Sequence, residues 1–262
     1  MRREMRFFQA LVCLGLILLA GRGGSGSSPG GTAINRWQYT ALGDSLAFGI
    51  LDTQGGGYVH RYRDDIATDM GATVSLINLG VNGAHSGDLL NSLKNDPSFR
   101  NNVAASQVVT WDIGGDDILH AFNLFQNNQC GGVDNLDCVR SAVSSFMVNW
   151  DSIVRQILAL RSTNNTIIRT MDIYNPFVGR LVLQGTFNTL EPFLDQVNQH
   201  IAASAKANGI PMAQVHLAFN GPDGDQDPIL KGLITVDGIH PNDAGHKAIA
   251  DAFRALGYAP LK

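Results

Sequence analysis

Thr40-Ala41-Leu42-Gly43-Asp44-Ser45-Leu46 closes an apolar run that begins at Trp37, and Ala47-Phe48 follow it. Residues 37–42 read as a buried strand, and the glycine with its following acid and serine as a sharp outward turn at the strand's carboxyl end. In open α/β sheets that edge is where ligands sit, because the loops there converge outside the packed core. A serine at such a turn stands on a rigid element, as a nucleophile must. Gly-Asp-Ser is also ordinary turn chemistry, and the tetrapeptide by itself favours the plain turn.

Working outward, short apolar segments alternate with helical patterns. Strand candidates are residues 37–42, 73–79, 107–113, 166–173 and 212–217, all rich in Val, Ile, Thr or aromatics. Tyr58, Tyr62, Ile66 and Met70 recur four apart, the stripe of a buried helix face. Val139, Val143, Phe146, Trp150, Ile153, Val154, Ile157 and Leu160 trace a longer helix. Phe193, Leu194, Val197, Ile201 and Ala205 trace another, and Ala248, Ile249, Ala252, Phe253 and Leu256 the last. This alternation predicts a mostly parallel sheet of about five strands covered on both faces. No internal repeat and no second domain is evident.

The 262 residues suffice for one sizeable core, and a net charge of -4 argues against a nucleic-acid partner. The amino terminus reads separately. A basic start at Arg2, Arg3 and Arg6 and an apolar run to residue 20 suit a secretory signal (1–20), and residues 21–34 a Gly/Ser-rich tether. Arg22 stands where a lipoprotein box needs cysteine, so tethering to a membrane rests on the leader alone. The expected location is secreted, periplasmic or at the cell surface. Gly21-Arg22-Gly23-Gly24-Ser25-Gly26 imitates a dinucleotide fingerprint, but neither follows a strand nor opens a helix, and is rejected. Of three cysteines, Cys13 falls in the leader. Cys130 and Cys138 read as a local disulfide in an exported domain, or otherwise as two buried thiols.

Four loops following strands carry polar residues. Beside Asp44-Ser45 stands the run from Asn78 to Gly87, whose Gly83 permits an amide to point into a cleft. The third is Asp112-Ile113-Gly114-Gly115-Asp116-Asp117, where the acids suit a helix cap or a reacting carbonyl. The fourth is Val236-Asp237-Gly238-Ile239-His240-Pro241-Asn242, with Pro241 suited to a helix's first turn. A serine nucleophile needs a base, and the base an orienting acid. His120, His240 and His246 each follow an aspartate by three residues. Asp117/His120 and Asp243/His246 fall inside predicted helices, where such neighbours are commonly surface pairs. Asp237/His240 lies in a loop at the same sheet edge as Ser45. His85 is near the cleft without an acid spaced to orient it. Asp223, Asp225 and Asp227 resemble a calcium loop, but Pro228 replaces the expected glycine, so a solvated loop without metal is expected.

Taken together, Gly43-Asp44-Ser45-Leu46, Gly83, residues 114–117 and Asp237 with His240 resemble the ordered blocks of the GDSL/SGNH hydrolase family, across residues 37–256. The resemblance implies a flavodoxin-like three-layer α/β/α fold over residues 35–262 and hydrolysis of acyl esters of lipid or carbohydrate type. It implies Ser45 as nucleophile, His240 as base and Asp237 as orienting acid; no cofactor is expected, and a monomer acting on a small-molecule, lipid or glycan ester. The oxyanion hole would be Ser45, Gly83 and the side chain at position 116. There the family has asparagine and this chain Asp116. An ionised carboxylate only accepts hydrogen bonds, so weakened hydrolysis is expected. A tethered binding protein with a crippled site, or an acyltransferase to a cell-surface sugar, are the alternatives. Asp172-Ile173-Tyr174-Asn175-Pro176 resembles a further family segment and is read as structural. Residues 118–125 and 177–187 read as an acyl pocket or as ordinary core, and the loops 49–57, 120–137 and 174–190 as the carriers of specificity.

Overall fold

The computed structural model describes residues 35–261. The leader 1–20, with Cys13, and the tether 21–34 therefore lie outside the described residues. The chain runs β1 (Arg36–Gly43), α1 (Ser45–Phe48), α2 (Gly57–Met70), β2 (Thr73–Gly80), α3 (Ser86–Asn95), α4 (Pro97–Ala105) and β3 (Val108–Trp111). It continues α5 (Gly115–Gln126), α6 (Asp137–Leu160), β4 (Ile167–Met171), α7 (Val178–Leu183), α8 (Phe187–Ala207), β5 (Met212–Ala213), α9 (Val215–Asn220) and α10 (Asp243–Arg254).

Among the described residues, the strands of the sheet all pair in parallel, in the order β2-β1-β3-β4-β5. After β1 the chain moves outward to β2, then returns to β1's other side for β3. The loops leaving β1 and β3 therefore part company and open a crevice at the carboxyl edge. Register sets what flanks it: Leu42 lies opposite Trp111, so Gly43-Asp44-Ser45 emerges beside Asp112.

The strands alternate between two buried faces. Leu42, Val109, Trp111 and Ile168 pack with α3, α5, α6 and α8; Trp150 on α6 lies 5.7 Å from the Trp111 ring. Tyr39, Ala41, Val108, Ile167 and Met171 pack with α2, α9 and α10, where Tyr58 stacks on Phe253 at 5.3 Å. With both faces covered, the strands read as apolar runs, as a parallel sheet requires.

The fold is the expected α/β/α arrangement, with two local corrections. The predicted strand 212–217 pairs only at Met212–Ala213, and Val215–Asn220 is helical, burying Val215 and Phe219 four apart. Pro241 precedes α10 and forms an antiparallel bridge with Ile234; Asn242 is the cap, accepting from the Ala244 and Gly245 amides at 2.9 and 3.0 Å. Cys130 and Cys138 are disulfide-bonded, closing the turn that enters α6.

Candidate active site

Gly43 makes the turn out of β1 with φ +142°. A Cβ there would lie 2.3 Å from the Asp112 carbonyl oxygen and 2.5 Å from its Oδ1, so glycine alone fits. Asp44 caps α1, its Oδ1 accepting from the Leu46 amide at 3.0 Å. Ser45 follows as the first residue of α1, with 6 % of its surface exposed.

His240 reaches the serine from the loop before α10. The Thr235 amide donates to the His240 carbonyl at 2.8 Å, folding residues 235–240 back on themselves. His240 Nε2 stands 3.0 Å from Ser45 Oγ, and Nδ1 2.6 Å from Asp237 Oδ2. The other oxygen, Asp237 Oδ1, accepts from Thr235 Oγ1 at 2.5 Å and from the Ile239 and His240 amides at 2.9 and 3.0 Å. Burial pushes the Asp237 carboxyl up, but the bonds from Thr235, His240 and the two amides outweigh it and hold the group well below the usual carboxylate range. A permanently charged acid on Nδ1 leaves Nε2 free to accept the serine proton.

The other two Asp–His spacings form no pairs. Asp117 accepts from the Ser86 amide and hydroxyl at 2.8 and 2.7 Å, tying α5 to the start of α3. Asp243 accepts from the Thr53 amide and hydroxyl. His246 is no surface residue: it is fully buried, accepting from the Tyr58 amide through Nδ1 at 3.2 Å and facing the Ile50 carbonyl through Nε2 at 3.1 Å. His85 does have an acid near it. Asp88 Oδ2 lies 3.8 Å from its Nδ1 and accepts from its amide, so the pair caps α3.

Ser45, Asp116 and His240 line one narrow pocket of about 50 Å³, walled by Ile113, Leu119, Ile173, Tyr174, Pro176 and Ile239. Gly83 lines an adjoining depression of about 190 Å³ that shares the turn at Gly43, with Leu79, Leu89 and Phe99 as its walls. Among the described residues, neither the Ser45 nor the Gly83 amide donates to a protein acceptor, so both donors are available. Asp116 does not cap α5, whose capping residue Gly114 receives no side chain. Burial raises the Asp116 carboxyl; the imidazoles of His85 and His240 oppose that and Asp117 adds to it.

The segment Asp172–Pro176 is both structure and site. Tyr174 is a pocket wall held by its hydroxyl on the Ile239 carbonyl at 2.8 Å and by stacking on Phe219 at 4.4 Å. Asn175 binds Asn220 and Glu191 deeper in. Of the stretch 118–125 only Leu119 reaches the pocket. Phe177, Val178 and Leu181 are buried and do not line it. Reading the sequence missed Thr235, and took Tyr58 only as core and Asp112 only as part of the third loop. Thr235 had a signal, standing two residues before Asp237. Among the described residues, no group of three or more His, Cys, Asp or Glu side chains is placed to hold a metal.

Residues 41–248 match the model of the GDSL-like lipase/acylhydrolase family. The spore germination lipase LipC of Bacillus licheniformis is 25% identical over 228 residues, covering 86% of this chain and 98% of that protein. Among solved structures, the lipase Lip_vut3 from a goat rumen metagenome superposes with a TM-score of 0.72 at 24% identity, over 86% of this chain and 100% of the other. Axe2, an acetylxylan esterase from Geobacillus stearothermophilus, gives 0.62 at 17% identity, over 88% and 100%.

Proposed function

Because the chain belongs to the GDSL-like lipase/acylhydrolase family and is a carboxylic ester hydrolase, we propose that Ser45, His240 and Asp237 form its catalytic triad. The single observation that carries the reading is the unbroken hydrogen-bond relay from Ser45 Oγ through His240 to Asp237. Ser45 Oγ attacks the ester carbonyl while His240 Nε2 takes its proton, then returns it to the leaving alcohol. Water, activated by the same imidazole, releases the acid from the acyl-serine. The Ser45 and Gly83 amides meet the oxyanion, and the Asp116 side chain is the third neighbour.

The substrate we propose is an ester with a short acyl group. The pocket beside Ser45 is far smaller than the roughly 300–1,000 Å³ typical of drug-sized ligands, and its walls are apolar. The enzyme is proposed to act outside the cytoplasm, a reading supported by the basic-then-apolar leader and by the disulfide. A binding protein that keeps the fold is favoured by one observation alone, the carboxyl of Asp116 where a donor is wanted. Turnover of p-nitrophenyl acetate, butyrate and octanoate by the wild type, Ser45→Ala and His240→Ala tests the proposal. Turnover that falls with chain length and drops about 10⁴-fold or more in both variants is expected. Unchanged turnover in either variant would remove that residue from the triad.

A further inference from the structure

Behind Ser45 lies an acidic pair that the relay does not use. Asp44 and Asp112 are 3 % and 1 % exposed. Asp112 Oδ1 accepts from the Tyr58 hydroxyl at 2.6 Å, and its Oδ2 faces the Asp44 amide at 3.4 Å. The Asp44 amide on that oxygen brings the two buried acids next to each other. Two ionised carboxylates side by side in a buried site repel each other and, as acceptors only, cannot bond, so a proton on one of them is favoured.

Among the described residues, the surroundings supply no cation in place of that proton. The polar groups facing the pair are Tyr58 from α2, Tyr39 and Thr110 from the sheet, Tyr174 after β4 and Asp116 on α5. Asp112 already accepts from Tyr58, whereas Asp44 receives only the Leu46 amide. Asp112 is therefore the better-served carboxylate and Asp44 the natural acid. Burial first, and then the neighbouring Asp112 charge, push Asp44 well above the usual carboxylate range.

We propose that Asp44 and Asp112 share one proton, carried by Asp44 and donated to Asp112, and that this bond clamps the end of β1 to the end of β3 and so fixes the turn carrying Ser45. The inference rests on the role proposed for Ser45. Asp44 and Asp112 act through that serine and are positioning residues. Removing the proton would leave two like charges in contact in a buried site, which acts against the same turn.

The test compares Asp44→Asn with Asp44→Ala. The asparagine amide can donate to Asp112 where the acid did, its oxygen can keep the Leu46 amide, and the pair retains one negative charge. Asp44→Asn is expected to stay within about threefold of wild-type kcat/KM near neutral pH, whereas Asp44→Ala, uncapped and with Asp112 unpaired, loses at least about tenfold. The infrared difference spectrum of wild type minus Asp44→Asn should contain the carbonyl stretch of a protonated carboxylic acid at neutral pH. A raised carboxyl pKa also makes stability fall as pH rises above about 4, so the wild-type Tm should decline more steeply with pH than that of Asp44→Asn. Absence of the acid band, or an asparagine variant as impaired as the alanine one, overturns the proposal. If Asp44→Ala does not fold, the band and the asparagine variant decide. If folded wild type turns over no ester, the reading of Ser45 fails, while the band and the Tm profile still report on the pair.

Discussion

Replacing Asp116 by asparagine should make this enzyme faster, and the gain should depend on pH. Asp116 shares the pocket with Ser45 and His240, half-buried, with no hydrogen bond from the helix it starts. When ionised it offers the oxyanion no donor, and loss of one such donor typically costs about 10²–10³ in kcat, or about 2.7–4 kcal/mol. A carboxylate about 4 Å from the developing charge adds repulsion of up to about 4 kcal/mol at an effective dielectric of about 20. When protonated it can donate, as a neutral acid in an apolar site does. Burial raises the Asp116 pKa, so its neutral form survives to higher pH than that of a free aspartate, then disappears as the pH rises through the folded value. The wild-type rate should thus lose oxyanion support toward alkaline pH, and Asp116→Asn should not. The ratio of Asn to wild-type kcat should reach about 10² at alkaline pH and shrink as the pH falls. Initial-rate profiles on p-nitrophenyl acetate against pH measure it, with Tm checking that both proteins are folded. A ratio of one or below throughout would refute the reasoning and remove Asp116 from the oxyanion's neighbours.

Other outcomes follow from the same contacts. Asp237→Asn leaves the geometry but favours the wrong imidazole tautomer, and kcat should fall by about 10⁴. Thr235→Val removes the hydroxyl bonded to Asp237 Oδ1 at 2.5 Å; a stopped assay should show a smaller loss, with stability lowered by about 1 kcal/mol in urea unfolding. His246 is buried and its pKa is lowered mainly by that burial, so protonation favours the unfolded chain. Wild-type Tm should fall as pH drops below about 6.5, and His246→Gln should flatten that decline. Reducing the Cys130–Cys138 bond, which spans a sequence separation of 8, or replacing both cysteines by serine, should cost about 2.5 kcal/mol on the chain-entropy estimate. Equal urea midpoints with and without reductant would contradict that.

Much of this was legible in the chain because the relevant signals are local. The glycine at 43 marked the outward turn, the apolar runs marked strands covered on both faces, and Asp237 with His240 three residues on placed an acid and a base in one loop. Signals failed where two periods overlap or where distance in sequence is large. Residues 212–217 are apolar enough for a strand, yet Val215 and Phe219 are one helical turn apart and the chain coils there. His246 sits three residues after Asp243, but spacing alone does not say which side of α10 faces inward, and this histidine faces α2. The contact of Asp112 with Asp44 and Tyr58 is unreadable from sequence, since separations of 68 and 54 residues are closed only by the register of β1 on β3 and the packing of α2. Likewise Asp117 looked like a cap for its own helix, and instead serves the amide of Ser86 on another.

The central claim, that Ser45 is an activated nucleophile, is tested most directly by covalent capture. A p-nitrophenyl alkylphosphonate should release one equivalent of p-nitrophenol per folded protein, with peptide mass spectrometry placing the adduct on the peptide containing Ser45 and on that residue. His240→Ala should slow the capture sharply while leaving the site chemically intact. Stoichiometric labelling confined to Ser45 is the predicted result. A folded protein that takes no label, or takes it equally at other serines, would contradict the triad.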